Sequence, residues 1–238
     1  MGAKFTNLLV RNDDLEAVTR AVVRARLGSA WVAHSGEGWV NVAPECAWHG
    51  LDELAESLSR SLSCPVVSLL CFDEDMFDCG VYDKGDRLAL FCVPETGEYS
   101  EPGRRHGSAE VLRPWLKHEV AAEDLESLMN TGLMSEASTT NVLVQGILAE
   151  HEAEGTPVDE AEVRKSVLKW DPVSEFEGVA LFKSGIAEHL ATLLGASASA
   201  AVASYDYVSD DRERPNPERI SSEYPGIEWQ HVGGLRLV

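Results

Sequence analysis

Residues 64–93 read CPVVSLLCFDEDMFDCGVYDKGDRLALFCV, and three apolar runs in this stretch are separated by acidic turns. The first run, residues 66–72, is almost continuously apolar, which is typical of a strand covered on both faces. The second and third runs, residues 77–82 and 88–93, are joined by the short polar sequence DKGD at 83–86, whose glycine can adopt a positive φ. The stretch therefore predicts the middle of a β-sheet that contains a hairpin.

The sequence before this stretch alternates strand-like and helix-like segments. Residues 5–10, 30–33 and 38–42 are short apolar runs typical of strands. Two further segments, residues 15–25 and 51–62, repeat apolar residues at helical spacing along a single stripe. The order βαββαβ is that of a ferredoxin-like unit, which the hairpin would extend. We therefore expect an α+β fold with an antiparallel or mixed sheet, helices mainly on one face, and a helical second half docked on it.

The composition shifts towards helix beyond residues 94–110, a stretch rich in Pro, Gly and charge that we interpret as an exposed loop. Amphipathic patterns predict helices at 123–129, 141–152 and 185–195, and Thr156 followed by Pro157 predicts the start of another. Strand-like runs at 178–182 and 200–208 predict two further strands, and runs at 227–232 and 235–238 predict a terminal hairpin.

These patterns divide the chain into three parts. Residues 1–117 are predicted to form the α+β sheet domain. Residues 118–208 form a mainly helical part packed on the sheet, with the two later strand candidates. Residues 209–238 form an exposed loop and the terminal hairpin, because prolines and charges are frequent up to residue 226.

The chain is strongly acidic. Its 238 residues include 40 Asp and Glu against 20 Lys and Arg, which gives a formal net charge of −20. Such a chain is repelled by phosphate backbones and by anionic lipid, and no strong basic patch offsets the repulsion. No apolar run has the length of a membrane span, and the N-terminus lacks a secretory signal pattern. We therefore expect a cytoplasmic protein that binds neither nucleic acid nor membrane.

The five cysteines agree with a cytoplasmic location. Their number is odd, most lie inside apolar runs, and no CxxC pair occurs. This usage indicates buried reduced thiols rather than a disulfide framework or a zinc site. Nucleophile elbows, phosphate-binding loops, dinucleotide-binding glycine motifs and paired metal-binding histidines are likewise missing from the sequence. We therefore predict no catalytic residue, no metal and no cofactor.

Acidic side chains follow the central strand and its hairpin, at Asp73, Glu74, Asp75, Asp78, Asp83 and Asp86. Carboxylates that converge at one sheet edge would bind Ca²⁺ or Mg²⁺, although the spacing is not that of an EF-hand. The alternative interpretation is a solvated turn that keeps the sheet end soluble. Arg104 and Arg105, together with His106, form the only compact basic cluster outside a predicted helix, and would either receive a carboxylate or phosphate or balance their neighbours. The six acidic residues and the two arginines are the candidate binding residues.

The six tryptophans leave two interpretations open. Large aromatic side chains dominate protein cores, so a packing role is the simpler expectation. Several tryptophans exposed beside the acidic turn would instead indicate a binding face with aromatic anchors.

The central stretch contains the pattern CPxxSxxxxDxDxxxxxxYDxG and is preceded by LDELAESLSRSL at residues 51–62. It resembles a group of uncharacterised bacterial α+β proteins with a similar strand, acidic turn and Tyr-Asp-x-Gly hairpin. Residues 187–208, AEHLATLLGASASAAVASYDYV, look like the helix and strand near the end of the same group. The resemblance covers about half of the chain. It implies that the helical segment folds back on the sheet, and it implies no activity.

Two functional hypotheses follow. The first is a non-enzymatic, cytoplasmic protein-binding module that neutralises a basic protein partner in the manner of bacterial immunity proteins, since the chain is acidic and carries no catalytic motif. The alternative is an enzyme or sensor that uses a divalent cation or a small ligand at the acidic turn, residues 73–86.

Overall fold

The computed structural model describes residues 4–26, 28–45, 50–73, 75–95, 104–153, 155–169, 179–180, 183–210, 214–215 and 227–232. The strands are β1 (Lys4–Val10), β2 (Ala30–His34), β3 (Val40–Pro44), β4 (Val66–Phe72), β5 (Met76–Asp83), β6 (Asp86–Val93), β7 (Leu133–Met134), β8 (Val179–Ala180), β9 (Ser209–Asp210), β10 (Arg214–Pro215) and β11 (Gln230–Val232). The helices are α1 (Leu15–Ala25), α2 (Leu51–Leu62), α3 (Ala122–Thr131), α4 (Glu136–Ala153), α5 (Glu160–Lys169), α6 (Lys183–Leu194), α7 (Ala198–Ala201) and α8 (Tyr205–Val208), and a 3₁₀ helix covers Ala109–Trp115.

Seven strands form one antiparallel sheet in the order β11-β2-β3-β1-β4-β5-β6. The predicted hairpin joins β5 to β6 through Lys84 and Gly85, whose φ values of 53° and 89° are those of the tight turns that suit twisted strands. The α+β class and the sheet extended by a hairpin are therefore confirmed. The ferredoxin-like start stays a prediction, as does the division of the chain into three parts.

The sheet is covered by helices on both faces. Val66 and Leu70 of β4 pack with α1 and α2, whereas Val67 and Leu69 of the same strand pack with α3 and α6. Since successive side chains of a strand point to opposite faces, the two helical layers lie on opposite sides of the sheet. Our expectation of helices mainly on one face is corrected in this respect: the second half docks on the face that α1 and α2 leave uncovered.

The strand predicted at 200–208 is wrong, because the structure has the two short helices α7 and α8 there. Ser197 begins α7, and its side-chain oxygen accepts a hydrogen bond from the backbone N–H of Ala200 at 3.2 Å. The alanines of this segment favour a helix, and this preference outweighs the β-branched and aromatic residues that suggested a strand. The other candidate, 178–182, contains the two-residue strand β8, which pairs with β7.

The helix predictions are confirmed for α3, α4 and α6. The helix predicted to begin at Thr156 begins instead at Glu160. Asp159 accepts a hydrogen bond from the backbone N–H of Ala161 at 2.8 Å, so Asp159 rather than Thr156 caps the start of this helix.

Buried amide side chains fasten α7 to the sheet. Asn7 on β1 donates from Nδ2 to the carbonyl oxygen of Ala201 at 2.9 Å, and Asn41 on β3 donates from Nδ2 to that of Ala200 at 2.5 Å. Both asparagines have no exposed surface. Because unpaired amides are costly to bury, these bonds fix where the helix lies on the sheet.

The end of α6 meets the turn between β2 and β3. Trp39 donates from Nε1 to the carbonyl oxygen of Leu194 at 2.8 Å. A Cβ atom at Gly36 would overlap with the carbonyl oxygen of Gly195, so only glycine permits this approach. The helical second half is thereby held against the first half by direct backbone contact.

The tail contributes a strand to the sheet. Gln230–Val232 pairs with β2 at the edge of the sheet, whereas the second run of the predicted terminal hairpin, 235–238, lies outside the described residues. In the described part of the chain, no helix has the length and apolar character needed to cross a membrane.

Four of the five cysteines lie in the described residues, and all four are buried and free, as predicted. Burial raises the pKa values of Cys64 and Cys92 to about 11 and about 12, so both thiols stay protonated at neutral pH. The tryptophans Trp31, Trp39 and Trp229 are buried, which favours the packing role for them.

Candidate functional site

The predicted acidic site is divided between the two ends of β5. Asp73 and Asp75 lie at the turn between β4 and β5, whereas Asp83 and Asp86 flank the turn between β5 and β6. Since β5 has 8 residues, each rising by about 3.4 Å, the two turns lie on the order of 25 Å apart. Glu74 lies outside the described residues. Our expectation that these carboxylates converge at one sheet edge is therefore corrected.

The turn carboxylates resemble ordinary surface groups. Asp75 and Asp86 are exposed, and Asp73 forms an ion pair with Lys4 at 2.9 Å. Among the described residues, no group of three or more His, Cys, Asp and Glu side chains is arranged to hold a metal ion. The geometry favours the alternative interpretation of these positions as solvated turns.

Asp78 differs from the turn carboxylates because only 8% of its surface is exposed. It lies opposite Cys92 on β6, and Arg104 donates from Nη1 to Asp78 Oδ2 at 3.2 Å. Burial raises the pKa of the Asp78 carboxyl above its ordinary value, and the charge of Arg104 opposes that rise. The ion pair holds the Arg104 segment at the edge of β6, where the backbone of His106 pairs with Leu90.

Arg105 is also engaged by this chain's own carboxylates. Its guanidinium lies 3.3 Å from Glu126 on α3 and 3.9 Å from Glu95. Glu126 accepts a further hydrogen bond, from the backbone N–H of Ala109 at 2.8 Å. The structure thus brings Asp78 together with Arg104 and brings neither of them to the acidic turns. Glu126 of α3 binds both Arg105 and the backbone N–H of Ala109, and so ties the segment before the 3₁₀ helix and the start of that helix to α3.

Sequence reasoning missed the buried tyrosine on the same face as Asp78. The ring of Tyr82 lies over Gly80, where an added Cβ atom would come within 2.9 Å of the hydroxyl. Burial raises the pKa of Tyr82, and the nearby carboxylate of Asp52 raises it further. Asp52 in turn forms an ion pair with Arg87 at 3.6 Å. The alternation of side chains along β5 was the available signal, since residues 78, 80 and 82 share one face.

A cleft of about 300 Å³ lies between α4, α5, α6 and the segment before α3. Its polar lining comes from four separate parts of the chain, which is why no sequence motif indicated it. The side chains are those of His118, Glu119, Asn141, Gln145, Arg164 and Thr192.

The walls of this cleft are fixed by hydrogen bonds. The backbone N–H groups of Lys117 and His118 donate to the carbonyl oxygen of Leu193 at 2.8 and 3.2 Å and so cap the end of α6. Across the cleft, Arg164 on α5 donates from Nη1 to Asn141 Oδ1 on α4 at 2.8 Å. Burial lowers the pKa of His118, and the neighbouring Lys117 lowers it further, so the imidazole is neutral at pH 7.

Charge is distributed unequally between the two helical layers. The helices α1 and α2 carry four acidic and three basic residues, whereas α3, α4 and α5 carry eight acidic and three basic residues. Several carboxylates of the second layer are exposed and have no ion-pair partner within the described ranges. We call the following residues the acidic layer: Glu119, Glu123, Glu136, Glu152 and Glu162.

Comparisons with known proteins give no match. No protein-family model, no curated protein and no solved structure matches the chain at a significant level. The resemblance of the central stretch to a bacterial group therefore stays a prediction, and function has to be argued from the site residues themselves.

Proposed function

We propose that this protein binds a basic protein partner through the acidic layer and neutralises it, as an immunity-like, non-enzymatic module of the cytoplasm would. The observation that carries the proposal is the excess of acidic over basic residues on α3, α4 and α5. The net charge of −20 adds a long-range attraction for any basic protein.

The arrangement of the basic residues supports the proposal. Arg105 is paired with Glu126 of α3, and Arg164 is paired with Glu160 of α5 at 3.2 Å. These arginines neutralise two carboxylates that do not belong to the acidic layer, and among the described residues none forms an ion pair with Glu123 of the layer. Exposed charges of one sign on a partner-facing surface steer association and select partners of opposite charge.

The rigidity of the layer also supports the proposal. Asp124 at the start of α3 accepts hydrogen bonds from the backbone N–H of Ser135, at 3.0 Å, and from the hydroxyl of Ser135, at 2.7 Å. This contact fixes the start of α4 beside the start of α3. Helices that are held in place lose little conformational freedom on binding, so more of the attraction of the carboxylates that they carry contributes to affinity.

The cytoplasmic location belongs to the same proposal. The described cysteines are free and buried, which suits a reducing compartment. In the cytoplasm this protein would bind its partner before that partner acts.

The test is affinity capture with two variants of equal net charge. The layer variant replaces Glu123, Glu136, Glu152 and Glu162 by Gln. The control variant replaces four exposed carboxylates outside the layer: Asp13→Asn, Glu45→Gln, Glu53→Gln and Asp75→Asn. Each changes the net charge by the same amount, so only the position of the lost charges differs.

We expect the wild type and the control variant to retain the same basic protein from a lysate of the source cells at low salt, where attraction between exposed charges is least screened. We expect the layer variant to lose it. Identification of the retained protein by mass spectrometry, followed by binding of that purified protein, completes the test. Recovery of no protein at low salt, or equal retention by both variants, would overturn the proposal.

A further inference from the structure

We propose that the cleft between α4, α5 and α6 binds a small organic carboxylate, with Arg164 as the residue that receives its anionic group. This inference does not depend on the protein partner, since it rests on the cavity and on side chains that the layer variant leaves intact.

The lining of the cleft offers more donors than acceptors. Arg164 carries five N–H groups, and the two bonds that it makes to Asn141 and Glu160 leave others available. Gln145 adds an amide on the next turn of α4, four residues after Asn141. A ligand that fills such a lining has to be rich in acceptors, as a carboxylate is.

The orientation of Asn141 is set by its arginine partner. Because Arg164 donates to Oδ1, the Nδ2 group of Asn141 stays free to donate to another acceptor. The neutral imidazole of His118 adds one further N–H donor. Glu119 is the carboxylate in this lining, and it is exposed.

The ligand has to be small. A volume of about 300 Å³ lies at the lower end of the range for pockets that hold metabolites. Gly146 on α4 faces Thr192 on α6, with 3.5 Å between a Cβ atom added there and the threonine hydroxyl, so the two helices approach closely beneath the cleft. The hydroxyl of Thr192 is already donated to the carbonyl oxygen of Glu188 at 3.0 Å. Recognition therefore falls to the donors of α4, α5 and His118.

The test is an NMR titration of the full-length protein with acetate, succinate, L-glutamate and inorganic phosphate as separate probes. We expect at least one carboxylate to shift the amide signals of His118, Asn141 and Gln145 in a saturable manner, with a dissociation constant in the millimolar range or tighter. We also expect the pKa of His118 to rise when the anion is bound, because a neighbouring negative charge favours the imidazolium.

Matched variants separate the site from general charge effects. Arg164→Gln should weaken carboxylate binding about tenfold or more, whereas Lys165→Gln, an exposed cation on the same helix, should leave it within about twofold. Gln145→Leu keeps the charge, and its weaker binding would support the site even if Arg164→Gln fails to fold. Saturable binding of phosphate with no carboxylate, equal effects of the two charge variants, or no saturable shift with any probe would overturn the proposal.

Discussion

At the residue scale, stability depends on polar side chains buried in places where an apolar residue would be expected. Asn7 precedes the buried apolar residues 8–10 of β1, and Asn41 lies between the buried Val40 and Val42 of β3. Each amide donates to a backbone carbonyl in the last turn of α7, that of Ala201 for Asn7 and that of Ala200 for Asn41. A polar pair of this kind contributes modest net stability but penalises any other position of the helix.

The replacement Asn41→Ala tests this role. It removes the Asn41 bond to the carbonyl oxygen of Ala200, which keeps its bond from the backbone N–H of Ala203 at 3.2 Å, so the free energy of unfolding should fall by about 0.5–1.5 kcal/mol. Urea denaturation measures the change. Asn12→Ala is the control, because the bonds of Asn12, with the backbone N–H of Asp14 and with the thiol of Cys64, involve no carbonyl of α7. A loss no larger than that of the control would contradict the docking role of Asn41.

His189 predicts a pH dependence. Only 7% of its surface is exposed, and its Nδ1 lies 2.9 Å from the carbonyl oxygen of Gly185. Burial lowers its pKa below the ordinary 6.5, although the hydrogen bond opposes this. As the pH falls below about 6.5, the unfolded state takes up a proton before the folded state does, so the stability contributed by neutral His189 is lost towards acid pH.

We therefore expect the wild type to lose stability relative to His189→Gln between pH 7 and pH 5. Taking the difference between the two proteins cancels titrations that they share, including that of Asp78. Parallel denaturation curves at both pH values, or an imidazole that titrates above 6.5 by NMR, would argue against this account.

Little of this residue-scale detail could be predicted from the sequence. The apolar runs around Asn7 and Asn41 predicted strands but gave no reason for the amides, since their partners lie more than 150 positions away. The sequence pattern likewise did not indicate that His189 is buried. Its burial depends on the packing of α6 in the core, which a single helical stripe does not reveal.

At the element scale, the contact between the β2–β3 turn and the end of α6 joins the two halves. Gly36 and Gly28 both adopt positive φ values, 84° and 107°. They differ in surroundings, because an added Cβ atom would strike the backbone of Gly195 at Gly36 and would meet nothing within 4 Å at Gly28. Comparing alanine substitutions at these two positions therefore separates the cost of backbone strain from the cost of crowding.

We expect Gly36→Ala to lower the free energy of unfolding by roughly 1–3 kcal/mol more than Gly28→Ala does. Both variants bear the strain of alanine at a positive φ, but only Gly36→Ala forces α6 away from the turn. Thermal or chemical denaturation checks the difference. Equal losses in the two variants would mean that the close approach does not stabilise the docked halves.

The strands of the central stretch could be predicted because their signals are local. Alternation and the DKGD turn sufficed for β5 and β6. The error at the acidic site was avoidable, since successive turns between adjacent antiparallel strands necessarily fall at opposite ends of the sheet. The incorrect strand prediction at 200–208 has a different cause. The helices α7 and α8 are held by contacts with the distant strands β1 and β2, which local sequence does not reveal.

At the scale of the whole molecule, the sequence predicted the net charge but not where it lies. A chain of −20 could have spread its carboxylates evenly. The fold instead places a nearly balanced helical layer on one face of the sheet and a strongly acidic layer on the other. The cleft lies between helices on the acidic side of the sheet and also depends on tertiary structure, because four separate segments line it.

The central claim is that the acidic layer attracts a basic partner, and the most direct measurement is the association rate constant with the captured partner at increasing ionic strength. For the wild type and the control variant we expect a rate above the 10⁵–10⁶ M⁻¹s⁻¹ that is typical without steering, falling about tenfold or more between about 20 and 300 mM salt. The layer variant should associate more slowly and depend less on salt. An association rate constant that does not change with salt would contradict the account. So would one that is lowered by the control substitutions but not by those of the layer variant.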